Sequence, residues 1–150
     1  MAKRVHSIDV ARCIEIAAHP MTVWAFVHDP TTAVLTDDEI VQGFTMPGTP
    51  RGGLGERQCF VHLLPDGSTH THMLEVIEIE PGHRAVTARV PDDGSRTTTT
   101  VVGGSVRTML TLQMTGSVLA PNYSVAIADV TRYCDNYLTR VRSAIESTQH

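Results

Sequence analysis

Asn122-Tyr123-Ser124-Val125-Ala126-Ile127-Ala128-Asp129-Val130-Thr131-Arg132-Tyr133-Cys134-Asp135-Asn136-Tyr137-Leu138-Thr139-Arg140-Val141-Arg142-Ser143-Ala144-Ile145-Glu146 is where the chain changes period. Ala126, Val130, Tyr133, Cys134, Tyr137, Val141, Ala144 and Ile145 recur at spacings of three and four, while Asp129, Arg132, Asn136, Arg140, Arg142 and Glu146 take the other faces. That is an amphipathic helix from about Asn122 to Glu146. Its apolar stripe must be covered, and a sheet is the partner the rest of the chain supplies.

Upstream, the pattern is one of strands cut by turn residues. Val10 to Ala18 reads as a first strand, with Val10, Ile14 and Ile16 on one parity and Arg12 interrupting it. His19-Pro20 breaks it, and Met21 to Val27 fill a short helix that Asp29-Pro30 stops. Thr31 to Leu35 suits a second helical turn. Strands follow at Glu39–Met46, Glu56–Leu64, Thr69–Ile79, Arg84–Val90, Arg96–Val102 and Ser105–Met114. Pro65-Asp66-Gly67-Ser68 and Gly103-Gly104 read as hairpin turns, so the strands form an antiparallel meander. The Pro47 to Gly55 stretch is the clearest loop and a candidate gate.

Composition agrees. The 150 residues suit one domain, expected to be ordered from about Ile8 to Ser147. Val, Thr and Ile number 17, 19 and 8, and such β-branched residues favour strands. With 41% hydrophobic and 19% charged residues the chain is neither disordered nor fibrous. A net charge of −4 argues against binding nucleic acid through its phosphates. Lys3 is the only lysine and sits in the leader, which leaves none well placed for Schiff-base or P-loop chemistry. Cys13, Cys59 and Cys134 are odd in number and lack metal-ligand spacing, so three buried thiols are expected. No signal peptide or membrane span is visible, and the expected location is the cytoplasm.

Three stretches carry a family resemblance. Ile14-Glu15-Ile16-Ala17-Ala18-His19-Pro20 runs into Val23-Trp24-Ala25-Phe26-Val27-His28-Asp29-Pro30; Gly55-Glu56-Arg57 opens a strand; Glu75-Val76-Ile77-Glu78-Ile79-Glu80-Pro81 closes one. Together with the element order these resemble the START/Bet v 1-like helix-grip superfamily, including its polyketide cyclase/dehydrase-like members. After Asp29-Pro30, where many cyclase-like members carry an aromatic, this chain has Val34 and Leu35. The resemblance implies an α+β fold: a seven-stranded antiparallel sheet wrapped around a long C-terminal helix, with two short helices after strand 1. It also implies a cavity between sheet and helix that holds a hydrophobic ligand such as a lipid, sterol or polyketide.

Candidate site residues come from the strand faces. If Leu64 pairs with Thr69, His62 faces Thr71, and Phe60, His62, Met73, Glu75 and Ile77 share one face. His70 and His72 then fall on the other, which separates a His62-His70-His72 trio that a one-residue slip would reunite as metal ligands. No metal or cofactor is expected. Both faces are half apolar, so alternation leaves open which one lines the cavity. His62 and Glu75 are candidates for acid/base work. Mid-strand Arg89 and Arg107 could orient an anionic ligand group, and Tyr133 and Tyr137 either find buried partners or point into the cavity.

No nucleophile, dinucleotide or metalloprotease motif is present. The leading expectation is a binder or carrier of a small hydrophobic molecule, with Phe60, His62, Met73, Glu75, Arg89, Arg107, Tyr133 and Tyr137 around it. The alternatives are a polyketide aromatase/cyclase using pocket acids and bases, and a protein-interaction module of the chaperone-activator kind. Nucleic acid and membrane insertion are not expected, and a homodimer is compatible with the chain.

Overall fold

The computed structural model describes residues 4–148; Lys3 lies outside them. Strand β1 (Val5–Ile16) leads through His19 into α1 (Pro20–Val27), a 3-10 turn (Pro30–Thr32) and α2 (Ala33–Thr36). Then come β2 (Ile40–Thr45), β3 (Arg57–Leu63), β4 (Thr69–Glu80), β5 (Arg84–Val90), β6 (Arg96–Gly103) and β7 (Thr108–Leu119). A second 3-10 turn (Ala120–Asn122) opens α3 (Tyr123–Ser147). The strands form one antiparallel sheet in the order β1-β7-β6-β5-β4-β3-β2. This is the helix-grip α+β fold.

Local chemistry explains the first helices. The His19 ring Nδ1 accepts the Met21 N–H at 3.1 Å, capping α1 with Pro20 at its first position. Asp29 does the same for the following turn, accepting from Thr31 N–H at 3.0 Å.

Strand β1 starts at Val5, earlier than the apolar pattern indicates, and β7 runs on to Leu119. The two strands pair continuously from Val5↔Leu119 to Ile16↔Thr108, so ladder hydrogen bonds carry both beyond their apolar stretches. Arg12 sits on the inward parity because its guanidinium reaches across to Asp135 of α3, at 2.8 and 3.2 Å.

Two hairpins differ from expectation. Gly103 pairs with Thr108, so the β6–β7 turn holds residues 104–107 rather than Gly103-Gly104. A side chain at Gly103 would stand 2.4 Å from the Arg107 carbonyl oxygen. Between β3 and β4, Leu63 pairs with Thr69 and His62 with His70. The cause is Gly67 at φ +85°. Leu64 closes a type I turn by accepting from Gly67 N–H at 2.9 Å, then donates to the Ser68 carbonyl at 2.8 Å. This is a G1 bulge, two residues against one, and it slips the register by one.

The core lies between α3 and one end of the sheet. Cys134, Leu138, Val141 and Ile145 of α3 meet Ile8, Val10 and Ile16 of β1 and Leu110 and Leu112 of β7. Cys59 and Cys134 are buried, but Cys13 is exposed, contrary to expectation. It lies on the outward parity of β1, between inward Arg12 and Ile14. Helix α3 packs chiefly against β1 and β7 and touches α1 and α2. Facing β3–β6 it stands off the sheet, which leaves a hollow.

Candidate functional site: a cavity between sheet and helix

The hollow is a cavity of about 460 Å³. Alternation decides its walls. Gln58, Phe60 and His62 of β3, His72 and Leu74 of β4, Thr87 and Arg89 of β5, and Thr97 and Thr99 of β6 all point inward. Leu112 and Met114 of β7 close one side. Tyr133 and Tyr137 face it from α3, with rings 6.3 Å apart and nearly parallel. His28, Pro30, Ala33 and Thr36 come from the short helical segments.

Five of the expected site residues meet here: Phe60, His62, Arg89, Tyr133 and Tyr137. Three do not. The bulge at Gly67 puts His72 and Leu74 inward and sends Met73 and Glu75 to the outer face. There Met73 sits between Cys59 and Val90, and Glu75 accepts from Arg57 Nε at 2.8 Å. Arg107 falls in the β6–β7 turn, where it pairs with Glu15 in the open. The Pro47 to Gly55 loop lines none of this cavity. Buried Glu56 ties it down, accepting from Gly52 N–H at 3.2 Å, Thr45 Oγ1 at 2.6 Å and Gln58 Nε2 at 3.1 Å.

The same slip reunites His62, His70 and His72 on one face. They do not form a metal cage. His62 Nε2 and His72 Nδ1 share a hydrogen bond of 2.7 Å, and no cluster of metal-ligating side chains is found among the described residues. Behind His62, Nδ1 lies 3.6 Å from a Glu39 carboxylate oxygen. The His72 ring stacks on Phe60, with centroids 5.1 Å apart.

Of the cavity histidines, His28 is absent from the sequence candidates, and His72 enters them only through the His62-His70-His72 trio. The Trp24-to-His28 spacing, i to i+4 on α1, was the available signal for His28. Its ring lies against Trp24, 3.9 Å between centroids, and its Nε2 is 3.2 Å from Thr99 Oγ1. Burial pushes the His28 imidazole down to about 4. For His72, burial first and then the charges of His62, Arg89 and His70 push it down to about 4, against a pull from Asp37. Both are neutral at pH 7. Tyr133 keeps 45% of its surface accessible, and that surface borders the cavity; the protein around it still raises its phenol to about 12. Burial, with Tyr133 adding, pushes the Tyr137 phenol higher still. Both phenols are therefore hydrogen-bond donors at neutral pH.

This architecture defines a class at the level of the fold, the helix-grip fold. Solved structures share it along almost the whole chain. A START superfamily protein from Mycobacterium smegmatis superposes with a TM-score of 0.76 at 14% identity, over 94% of this chain and 99% of that one. A Thalictrum norcoclaurine synthase point mutant, in complex with a transition-state analogue, gives 0.67 at 14% identity, over 98% and 99%. The di-domain ARO/CYC protein StfQ of the steffimycin biosynthetic pathway gives 0.69 at 12% identity, over 95% of this chain and 52% of that one. No family model matches the sequence, and the search of curated proteins finds no match. No helix among the described residues is long and apolar enough to cross a membrane.

Proposed function

We propose that the protein binds a small, predominantly apolar organic molecule in the cavity between sheet and α3. The observation that carries this is the wall itself: it bounds about 460 Å³, and Phe60, Leu74, Leu112, Met114, Tyr133 and Tyr137 give it a mostly apolar surface, broken by the imidazoles of His28, His62 and His72, by Arg89 and by threonines such as Thr97 and Thr99. That size and lining suit a small-molecule site. A ligand burying roughly 200 Å² of apolar surface gains about 5 kcal/mol before association costs. Arg89, His72 and the two phenols would then set its orientation. A solved neighbour holding a transition-state analogue, and another that is an ARO/CYC protein of a biosynthetic pathway, support such a use of the fold. The 2.7 Å imidazole pair favours a second reading, in which the cavity also promotes ring closure of a polyketide.

Native mass spectrometry and thermal shift against lipids, sterols and aromatic polyketides test the proposal. A one-to-one complex and a raised Tm are expected. Thr97→Phe, which fills the space beside Met114, should abolish both. Failure of the whole panel on the wild type, or undiminished binding by Thr97→Phe, would overturn it.

A further inference from the structure

A cavity that only stores an apolar molecule has no use for a series of ionisable side chains running to solvent, yet one leads out of this cavity. His72 forms part of the wall, and its Nδ1 is engaged with His62 Nε2 at 2.7 Å. His62 turns its other nitrogen to Glu39 at 3.6 Å, within ion-pair range although longer than a hydrogen bond. His62 is nearly sealed, with 14% of its side chain accessible, whereas Glu39 is 47% accessible. The series therefore runs from interior to solvent. It leaves His72 Nε2 without a hydrogen bond among the described residues and not sealed from its surroundings. Arg89 pairs across β5 with Leu74, one inward position along from His72. No carboxylate lies within ion-pair distance of Arg89 among the described residues.

We propose that His72 is a general base for carbon acids held in the cavity, ketones with a C–H next to the carbonyl, and that His62 and Glu39 carry its proton to solvent. This rests on the cavity being the ligand site. The C–H bond breaks and its proton forms an N–H bond at His72 Nε2. The electron pair stays on the ligand as an enolate, whose oxygen Arg89 faces. His72 passes its Nδ1 proton to His62 Nε2, and His62 passes its own Nδ1 proton toward Glu39 and water. The tautomers required agree with one another: each histidine carries its proton on Nδ1 before the transfer. The groups that bear on the base are His62 from β3, His70 on its own strand, Arg89 from β5 and Asp37 after α2. A neutral imidazole at pH 7 is the form that a base needs.

The test is deuterium exchange at the α-carbon of bicyclic ketones such as 2-tetralone, followed by NMR in deuterated water. Ligand-observed NMR measures binding separately. The wild type should bind the ketone and accelerate exchange. His72→Gln should bind it and lose about 100-fold or more of the acceleration. Glu39→Gln, exposed and unable to disturb the core, should keep binding, slow exchange severalfold and move the midpoint of the pH–rate profile to lower pH. Binding without acceleration, or acceleration that survives His72→Gln, overturns the base while leaving the cavity proposal standing. Absence of binding by every ketone, lipid and polyketide overturns both.

Discussion

Glu56 is the residue whose burial demands the most explanation, because it is 1% exposed and forms no ion pair among the described residues. It is held instead by three donors: the Thr45 hydroxyl, the Gly52 N–H and the Gln58 amide. An acceptor-only carboxylate suits all three at once. Glu56→Ala would strand them in a sealed site, and an expected loss of about 2–4 kcal/mol follows. Glu56→Gln keeps the shape, and the Thr45 hydroxyl can rotate to accept from the new amide, so its cost should be smaller. Urea denaturation measures the difference. Limited proteolysis should cut Glu56→Ala first within residues 47–55, and equal resistance of the alanine variant and wild type would show that Glu56 does not hold the loop. At this scale the sequence was legible where a residue type alone limits the options. Phe60, His62, Arg89, Tyr133 and Tyr137 reach the cavity as candidates. Glu75 and Met73 were misplaced because their position depended on a register, and Arg107 because it depended on a strand end.

Strand registers hang on single turn residues. The stretch Leu64-Pro65-Asp66-Gly67-Ser68 reads equally as a four-residue loop, Pro65 to Ser68, closed by Leu64 and Thr69, and as a type I turn with a G1 bulge. Only the second makes Leu64 oppose both Gly67 and Ser68. That one residue exchanges the two faces of β4 and with them the chemistry of the cavity: imidazole and Leu74 in place of Glu75 and Met73. Helix α3 was easier to read because its period is internal to the element, though Leu138, 1% exposed, belongs to the buried row as well. A different constraint acts between β2 and the 3-10 turn after α1. A side chain on Gly43 would stand 2.1 Å from the Pro30 carbonyl oxygen and 3.2 Å from Phe60. Backbone cannot yield as a side-chain tip does. Gly43→Ala should therefore push the turn away from the sheet at a cost of about 1–3 kcal/mol or more. Because Pro30 and Phe60 both line the cavity, ligand affinity should fall with stability. Chemical denaturation and the binding assay check this together, and a variant of wild-type stability would mean that the two elements are not in firm contact.

For the whole molecule, the cavity and the stability of the fold are linked through protons. His28 and His72 are held neutral in its wall, each down to about 4, whereas an unfolded chain protonates its histidines near the ordinary value of 6.5. Between those limits the unfolded state binds more protons than the folded state, by as many as about two. The sign follows: stability is full above about pH 6.5, declines as the pH falls toward 4, and then loses no more from these groups. The aspartates act in a lower window. Asp38, hydrogen-bonded by Arg140, Asp66, hydrogen-bonded by Ser68, and Asp92, hydrogen-bonded by Arg96, are all depressed below 3.8, so what they contribute is lost only on further acidification. A plot of Tm against pH should thus bend first near 6.5. The double variant His28→Gln, His72→Gln should remove most of that first slope and leave the acid limb below 4 in place. A ligand that occupies the cavity and takes a hydrogen bond from neither protonated ring should extend the first slope to lower pH, because it adds to the penalty for charging them. If the double variant reproduced the wild-type slope between pH 4 and 6.5, the histidines in the cavity wall would not be the groups that titrate, and the linkage between cavity and stability would fail.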